Sequence, residues 1–157
     1  MHFVFRLTLI IIISVFSLES FANDADAAYS AKGIEWHEWS SETFALAAEQ
    51  DKLVLLDISA EWCQFCKKMK AVTYQSPEVI EIINNNYIAI NADIETNTDV
   101  KILYGDFGVP GTVILTSERD EINKRLGYIA PQQMQWHLLG NLQDAPTGNA
   151  RAITVNN

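Results

Sequence analysis

Both cysteines of this 157-residue chain fall within Trp62-Cys63-Gln64-Phe65-Cys66-Lys67, and their surroundings leave few folds open. Upstream, Leu53-Val54-Leu55-Leu56-Asp57-Ile58 is short, apolar and rich in branched residues, which predicts a buried strand. Downstream, Lys67 to Val72 predicts a helix. The spacing then sets Cys63 at a helix N-terminus and Cys66 in its first turn, where a tight disulfide can close. Unpaired backbone N–H groups and the helix dipole stabilise a thiolate there, and the thiolate is the species that attacks disulfides. A strand, a short turn and a dithiol opening a helix is the context in which a CxxC pair is redox-active.

Other uses of two thiols fit less well. A structural zinc site takes four ligands, often two such pairs, and this chain has one pair and three histidines, His2 among them. Haem attachment needs His after the second cysteine, where Lys67 stands. A purely structural disulfide across so small a loop would constrain little of the unfolded chain.

The N-terminus reads as a secretory signal. Arg6 supplies a positive region, Leu7 to Leu18 is almost wholly apolar, and Ser20-Phe21-Ala22 offers small residues for cleavage after Ala22. A membrane span needs about 20 apolar residues, and this run ends at Glu19. The expected division is a signal peptide over 1–22, a flexible leader over 23–33, one domain over 34–143 and a flexible tail over 144–157. An exported chain with no other cysteine must be stable with its pair open or closed. The net charge of −9 argues against nucleic acid and anionic membranes as partners.

Within the domain, Ile34 to Trp39 predicts a strand start or indoles packed over the core. Ser40 or Ser41 would cap a helix to about Gln50, with Phe44, Ala45 and Ala48 on one face. Ser76-Pro77 restarts a helix after the dithiol helix, ending at Asn84-Asn85-Asn86. Tyr87 to Ala92 is a second strand, and Thr96 or Asn97 caps a short helix to about Tyr104. Thr112 to Leu115 and Ile122 to Leu126 are further strands, and Pro131 opens a last helix to about Leu142. The order implies an α/β fold, a mixed sheet covered by helices on both faces.

With these elements placed, the chain resembles the thioredoxin superfamily from about Ile34 to Leu142. Leu56 to Lys67 matches the family's strand and active-site motif, and Gly108-Val109-Pro110-Gly111-Thr112 matches its cis-proline loop. Trp36, Trp39, Lys68-Met69, Thr73-Tyr74 and Pro77-Glu78-Val79 make it similar to exported thioredoxin-like proteins of the kind found as the C-terminal domain of the transmembrane disulfide reductase. The resemblance implies a thioredoxin fold, with Cys63 as the attacking thiol at the exposed helix end and Cys66 as the covered, resolving thiol. It implies that Asp57 is a buried carboxylate beneath the disulfide, with a raised pKa, able to accept the Cys66 proton. Pro110 would be cis, and Val109 would pair its backbone with an extended substrate. Trp62, Gln64 and Phe65 would complete the substrate surface. No cofactor beyond the Cys63–Cys66 disulfide is expected.

The sequence also departs from the family. Gln64-Phe65 replaces its Gly-Pro, Ser59 replaces an aromatic, and a helix-kinking proline is missing near Ala71. The lysine that often faces the buried carboxylate aligns with Ala89. Glu61 is expected to be surface charge, and His37 and His137 to be solvated or packed. The resulting expectation is a monomeric, periplasmic thiol–disulfide oxidoreductase acting on protein disulfides, most readily as a reductase. Outside the cytosol it would need a transmembrane thiol reductase as electron donor. The alternatives are a disulfide oxidase or isomerase, and a CxxC copper-binding module, since thiolates suit Cu(I).

Overall fold

The computed structural model describes residues 33–144. The expected signal peptide, residues 23–32 of the leader and residues 145–157 of the tail lie outside the described residues. Five strands form one mixed sheet: β1 (Trp36–His37), β2 (Leu53–Ser59), β3 (Tyr87–Asp93), β4 (Gly111–Leu115) and β5 (Glu121–Leu126). Their order is β1-β3-β2-β4-β5. β1 and β2 run parallel to β3, β4 runs antiparallel to β2, and β5 antiparallel to β4. The helices are α1 (Ser41–Glu49), α2 (Gln64–Ala71), α3 (Pro77–Asn86), α4 (Thr98–Tyr104) and α5 (Pro131–Asp144), with a 3-10 turn at Thr73–Gln75.

The unbroken apolar run of β2 follows from its place at the centre, where every residue from Leu53 to Ser59 is buried. Successive side chains of a strand point to opposite faces. Leu53 and Leu55 pack with Met69 of α2, Ile83 of α3, and Met134 and Leu138 of α5. Val54, Leu56 and Ile58 pack with Phe44 and Ala47 of α1 and with Val100 and Tyr104 of α4. Each fully buried aliphatic side chain contributes about 1.5–3 kcal/mol, so both faces are needed to stabilise the sheet. Asp57 shares its face with Leu53 and Leu55. Alternation alone therefore sends its carboxyl beneath α2.

Helix starts follow their caps, with two corrections. Ser40 Oγ accepts the Thr43 N–H at 3.2 Å, and Asn97 Oδ1 accepts the Val100 N–H at 3.0 Å. Ser76 precedes α3 as expected, but its hydroxyl donates to Glu78 Oε2 at 2.6 Å instead of capping a backbone N–H. In α1 the buried residues are Thr43, Phe44 and Ala47, whereas Ala45 and Ala48 are exposed. The Phe44 ring sets this rotation, wedged edge-on against Trp39 at 4.9 Å and under the Arg119 guanidinium at 4.6 Å. Strand β5 begins at Glu121, one residue before its expected start, and is an exposed edge whose Glu121, Lys124 and Arg125 discourage further pairing.

Candidate dithiol site

Cys63 is the N-cap of α2, and its backbone is extended (φ −77°, ψ 105°). Its sulfur takes the place that a Ser or Asp oxygen usually fills, accepting the Cys66 N–H at 3.1 Å. The Cys63 and Cys66 sulfurs are joined in a disulfide, with the Cα atoms 5.3 Å apart. The first turn of α2 contains no acidic residue, and Lys68 and Lys70 lie in its last turn. Lysines there complement the negative end of the dipole and leave the positive end to act on sulfur.

One expectation about accessibility is corrected. Cys63 is 5 % exposed and Cys66 3 %, so the first thiol is as covered as the second. The cause is packing: Ala60 from the same loop, with Ile94 and Val109 from two others, closes over the pair. Ile94 is held by its N–H bond to the Ser59 carbonyl at 2.8 Å, and Ser59 is itself buried at the end of β2.

Beneath α2, Asp57 is 2 % exposed. Tyr74 donates its hydroxyl to Asp57 Oδ1 at 3.2 Å, and Asn91 donates Nδ2 to Oδ2 at 2.7 Å. Lys70 Nζ donates to Asn91 Oδ1 at 3.4 Å. Burial pushes the Asp57 pKa up to about 6, against the lowering influence of Tyr74, Lys70 and Asn91. The strand register sets what stands beside this carboxyl. Ala89 pairs with Leu55, two residues away, and Asn91 is the residue beside Asp57. Asn91 thus sets a neutral amide beside the carboxyl and bridges it to Lys70 on α2, while the position that aligns with the family's lysine holds Ala89. Tyr74 and Asn91 carry no local sign of being partners of Asp57, because they lie 17 and 34 residues away from it.

Around the disulfide, Trp62 and Phe65 are 63 % and 61 % exposed, and Gln64 is exposed between the cysteines. The Phe65 ring lies 6.5 Å from that of Tyr128, over which Lys68 Nζ sits at 4.4 Å. The Val109–Pro110 peptide bond is cis. The Pro110 carbonyl accepts the Gly127 N–H at 2.8 Å, which ties this loop to the end of β5. Val109 packs on the cysteine pair, whereas Pro110 itself is buried. Glu61 is exposed. His37 is half-buried on β1, and His137 is packed in α5, where burial and Arg125 hold its pKa low. Among the described residues, no group of three or more His, Cys, Asp or Glu is placed to hold a metal ion. Among them, too, no helix is long and apolar enough to cross a membrane.

Comparison with known proteins agrees with this geometry. Residues 25–138 match the family Thioredox_DsbH, described as "Protein of unknown function, DUF255". The chain is 33 % identical over 97 residues to the thiol:disulfide interchange protein DsbD of Neisseria meningitidis, covering 59 % of this chain and 16 % of that protein. It is 30 % identical over 93 residues to the uncharacterized protein B0495.5 of Caenorhabditis elegans, covering 54 % of this chain and 13 % of that one. The chain therefore spans about a sixth or less of the length of these relatives. Among solved structures, a thioredoxin from Thermus thermophilus superposes with a TM-score of 0.61 at 18 % identity, over 69 % of this chain and 86 % of that one, which shows the fold. The reduced C-terminal domain of Neisseria meningitidis DsbD superposes with a TM-score of 0.51 at 26 % identity, over 64 % of this chain and 90 % of that domain. With a thioredoxin fold, a CxxC pair at the head of α2 and a family match over most of its length, this chain belongs to the Thioredox_DsbH family and is homologous to the C-terminal domain of DsbD.

Proposed function

We propose that this protein is an exported thiol–disulfide oxidoreductase that reduces protein disulfides. The observation that carries the reading is the seating of Cys63 as the N-cap of α2, its sulfur accepting the Cys66 N–H while paired with Cys66. A thiolate formed there meets a backbone donor and the positive end of a helix. In the reduced protein the Cys63 thiolate attacks a substrate disulfide and forms a mixed disulfide. Cys66 then gives its proton to Asp57 and attacks Cys63, so that the protein pair closes and the substrate sulfur leaves as a thiolate. Asp57 suits that task because a carboxyl with a pKa near 6 is a workable base at neutral pH. Trp62, Gln64 and Phe65 would meet the substrate, with Val109 and Pro110 bracketing its backbone.

The reducing direction draws on what surrounds the sulfurs. Strong oxidants owe their potential to a stabilised reduced form. Here the apolar cover and a buried Asp57 disfavour negative charge beside Cys66, and no cation stands between the cysteines. Export would rest on the apolar N-terminal segment, and turnover outside the cytosol on a membrane thiol reductase as donor. Similarity to DsbD, a thiol:disulfide interchange protein, supports both the chemistry and a partner of that kind.

Trapping tests the assignment. Cys66→Ser should accumulate a mixed disulfide through Cys63, and Cys63→Ser should accumulate none; equal trapping by both variants would overturn the roles. A potential above about −150 mV, near the strong-oxidant end of the scale, would reverse the direction. A second reading, an isomerase, is favoured by similarity to a structure described as a putative disulphide-isomerase from Bacteroides thetaiotaomicron (TM-score 0.58, 26 % identity). Recovery of activity from scrambled ribonuclease without added reductant would select it.

A further inference from the structure

The two donors to Asp57 differ in kind. An amide nitrogen can only donate, so the Asn91 bond to Oδ2 keeps one sense whatever the charge on the carboxyl. The contact of Lys70 Nζ with Asn91 Oδ1 fixes which end of the amide faces Asp57. A phenol can donate or accept. Tyr74 donates to Oδ1 in the structure, which suits a charged carboxyl, but a proton on the Oδ1 lone pair that faces the phenol would meet its hydrogen head-on. The Tyr74 hydroxyl must then turn away.

Thr112 supplies somewhere for it to turn. Pairing of β2 with β4 sets Thr112 opposite Asp57. Its hydroxyl lies near enough to Tyr74 to ease ionisation of the phenol, yet Thr112 Oγ1 is buried with no partner in hydrogen-bond geometry. A buried hydroxyl left unpaired costs about 1–3 kcal/mol, and a second arrangement that satisfies it offsets that cost. The Tyr74 ring is held meanwhile by the Trp36 indole, edge-on at 5.0 Å, so the hydroxyl can rotate without the ring moving. The groups acting on or set opposite Asp57 are Lys70 on α2, Tyr74 on the 3-10 turn, Asn91 on β3 and Thr112 on β4. Among the described residues, Lys70 is the one charged side chain acting on the carboxyl.

We propose that Tyr74 is a positioning residue whose hydroxyl donates to Asp57 when the carboxyl is charged and to Thr112 when Asp57 takes up a proton. The inference rests on the reading of Asp57 as base of the proposed reduction. In that step the Cys66 S–H bond breaks and an O–H bond forms at Oδ1. Tyr74 swings to Thr112 and accepts from the new acid. Cys66 sulfur then bonds Cys63 as the substrate sulfur departs with the electron pair, so the protein dithiol is oxidised and the substrate disulfide reduced.

The test is a titration of Asp57 by carboxyl carbon NMR in the oxidised full-length protein, where neither cysteine titrates. Tyr74→Phe removes a donor to the charged form and should raise the proton affinity of Asp57 about tenfold, the size of one hydrogen bond to a charge. Thr112→Val removes the acceptor for the turned hydroxyl and should lower that affinity. Thr112→Ser, which keeps the hydroxyl, should restore it. Opposite shifts are not what loosened packing would give. No shift in Tyr74→Phe, or a rise or no change in Thr112→Val, overturns the relay. The pH profile of mixed-disulfide resolution, followed in the same variants, reads the base separately. Profiles that stay fixed while the NMR midpoints move would sink the base reading and leave the relay standing.

Discussion

Asp57 is ionised at neutral pH only against the cost of its burial, and this gives it a signature in stability. Its folded pKa of about 6 stands above the ordinary value of 3.8. Between those values the folded protein holds a proton that the unfolded chain releases, so the contribution to stability is full below pH 3.8 and is lost as pH rises through 6. Asp57→Asn removes the loss. Urea unfolding of the oxidised variant should show a gain of up to about 3 kcal/mol at pH 8, from roughly two pH units at 1.36 kcal/mol each, and none at pH 3. A gain that persists at pH 3 would trace the effect to packing instead of charge. At this scale the sequence was legible where the information is local. Cys63, Cys66 and Asp57 stand within ten residues and declare themselves by spacing and alternation. Tyr74, Asn91 and Thr112 do not, because each meets Asp57 only through the path of α2 or the pairing of β2 with β3 and β4. Ala89, with which the missing lysine aligns, lies one same-face step along β3 from Asn91.

Among the connecting elements, the loop from α4 to β4 carries the most constrained backbone beside the site. Gly108 has φ +99°, and a Cβ placed there would lie 3.1 Å from Leu126 Cδ1. Leu126 is exposed and can swing aside, so the backbone is the larger obstacle, with about 1–3 kcal/mol for a side chain in so sparsely populated a region. Gly108→Ala should lower stability by that amount in chemical denaturation and slow disulfide exchange, since the next residue, Val109, packs on the cysteines. Adding Leu126→Ala should not rescue it; recovery in the double variant would make the clash the cause. Elements were legible wherever the chain carries a cap or a breaker: Ser40, Pro77, Asn97 and Pro131 all stand at helix starts. The buried face of α1 was not. Alanines mark a face poorly, and here a tertiary contact of Phe44 with Trp39 and Arg119 decides the rotation.

The molecule as a whole links its stability to its potential. Oxidised and reduced forms, each folded or unfolded, make a closed thermodynamic cycle. Whichever redox form is folded more stably is the one favoured relative to an unstructured CxxC pair. A strong oxidant is therefore more stable reduced, and a reductant more stable oxidised. In this fold the helix terminus and the Cys66 N–H favour a Cys63 thiolate, whereas the cover of Ala60, Ile94 and Val109 and the desolvated Asp57 disfavour charge around the pair. The apolar enclosure suits a neutral disulfide, because it would need no solvation that the site withholds. The oxidised protein should accordingly unfold at higher urea than the reduced protein at pH 7, with both forms followed in the same buffer and the reduced one kept anaerobic. Equilibration against glutathione should give a potential on the same side. If the reduced form proves the more stable, the helix terminus has outweighed the apolar cover, and the protein belongs with donors of disulfides.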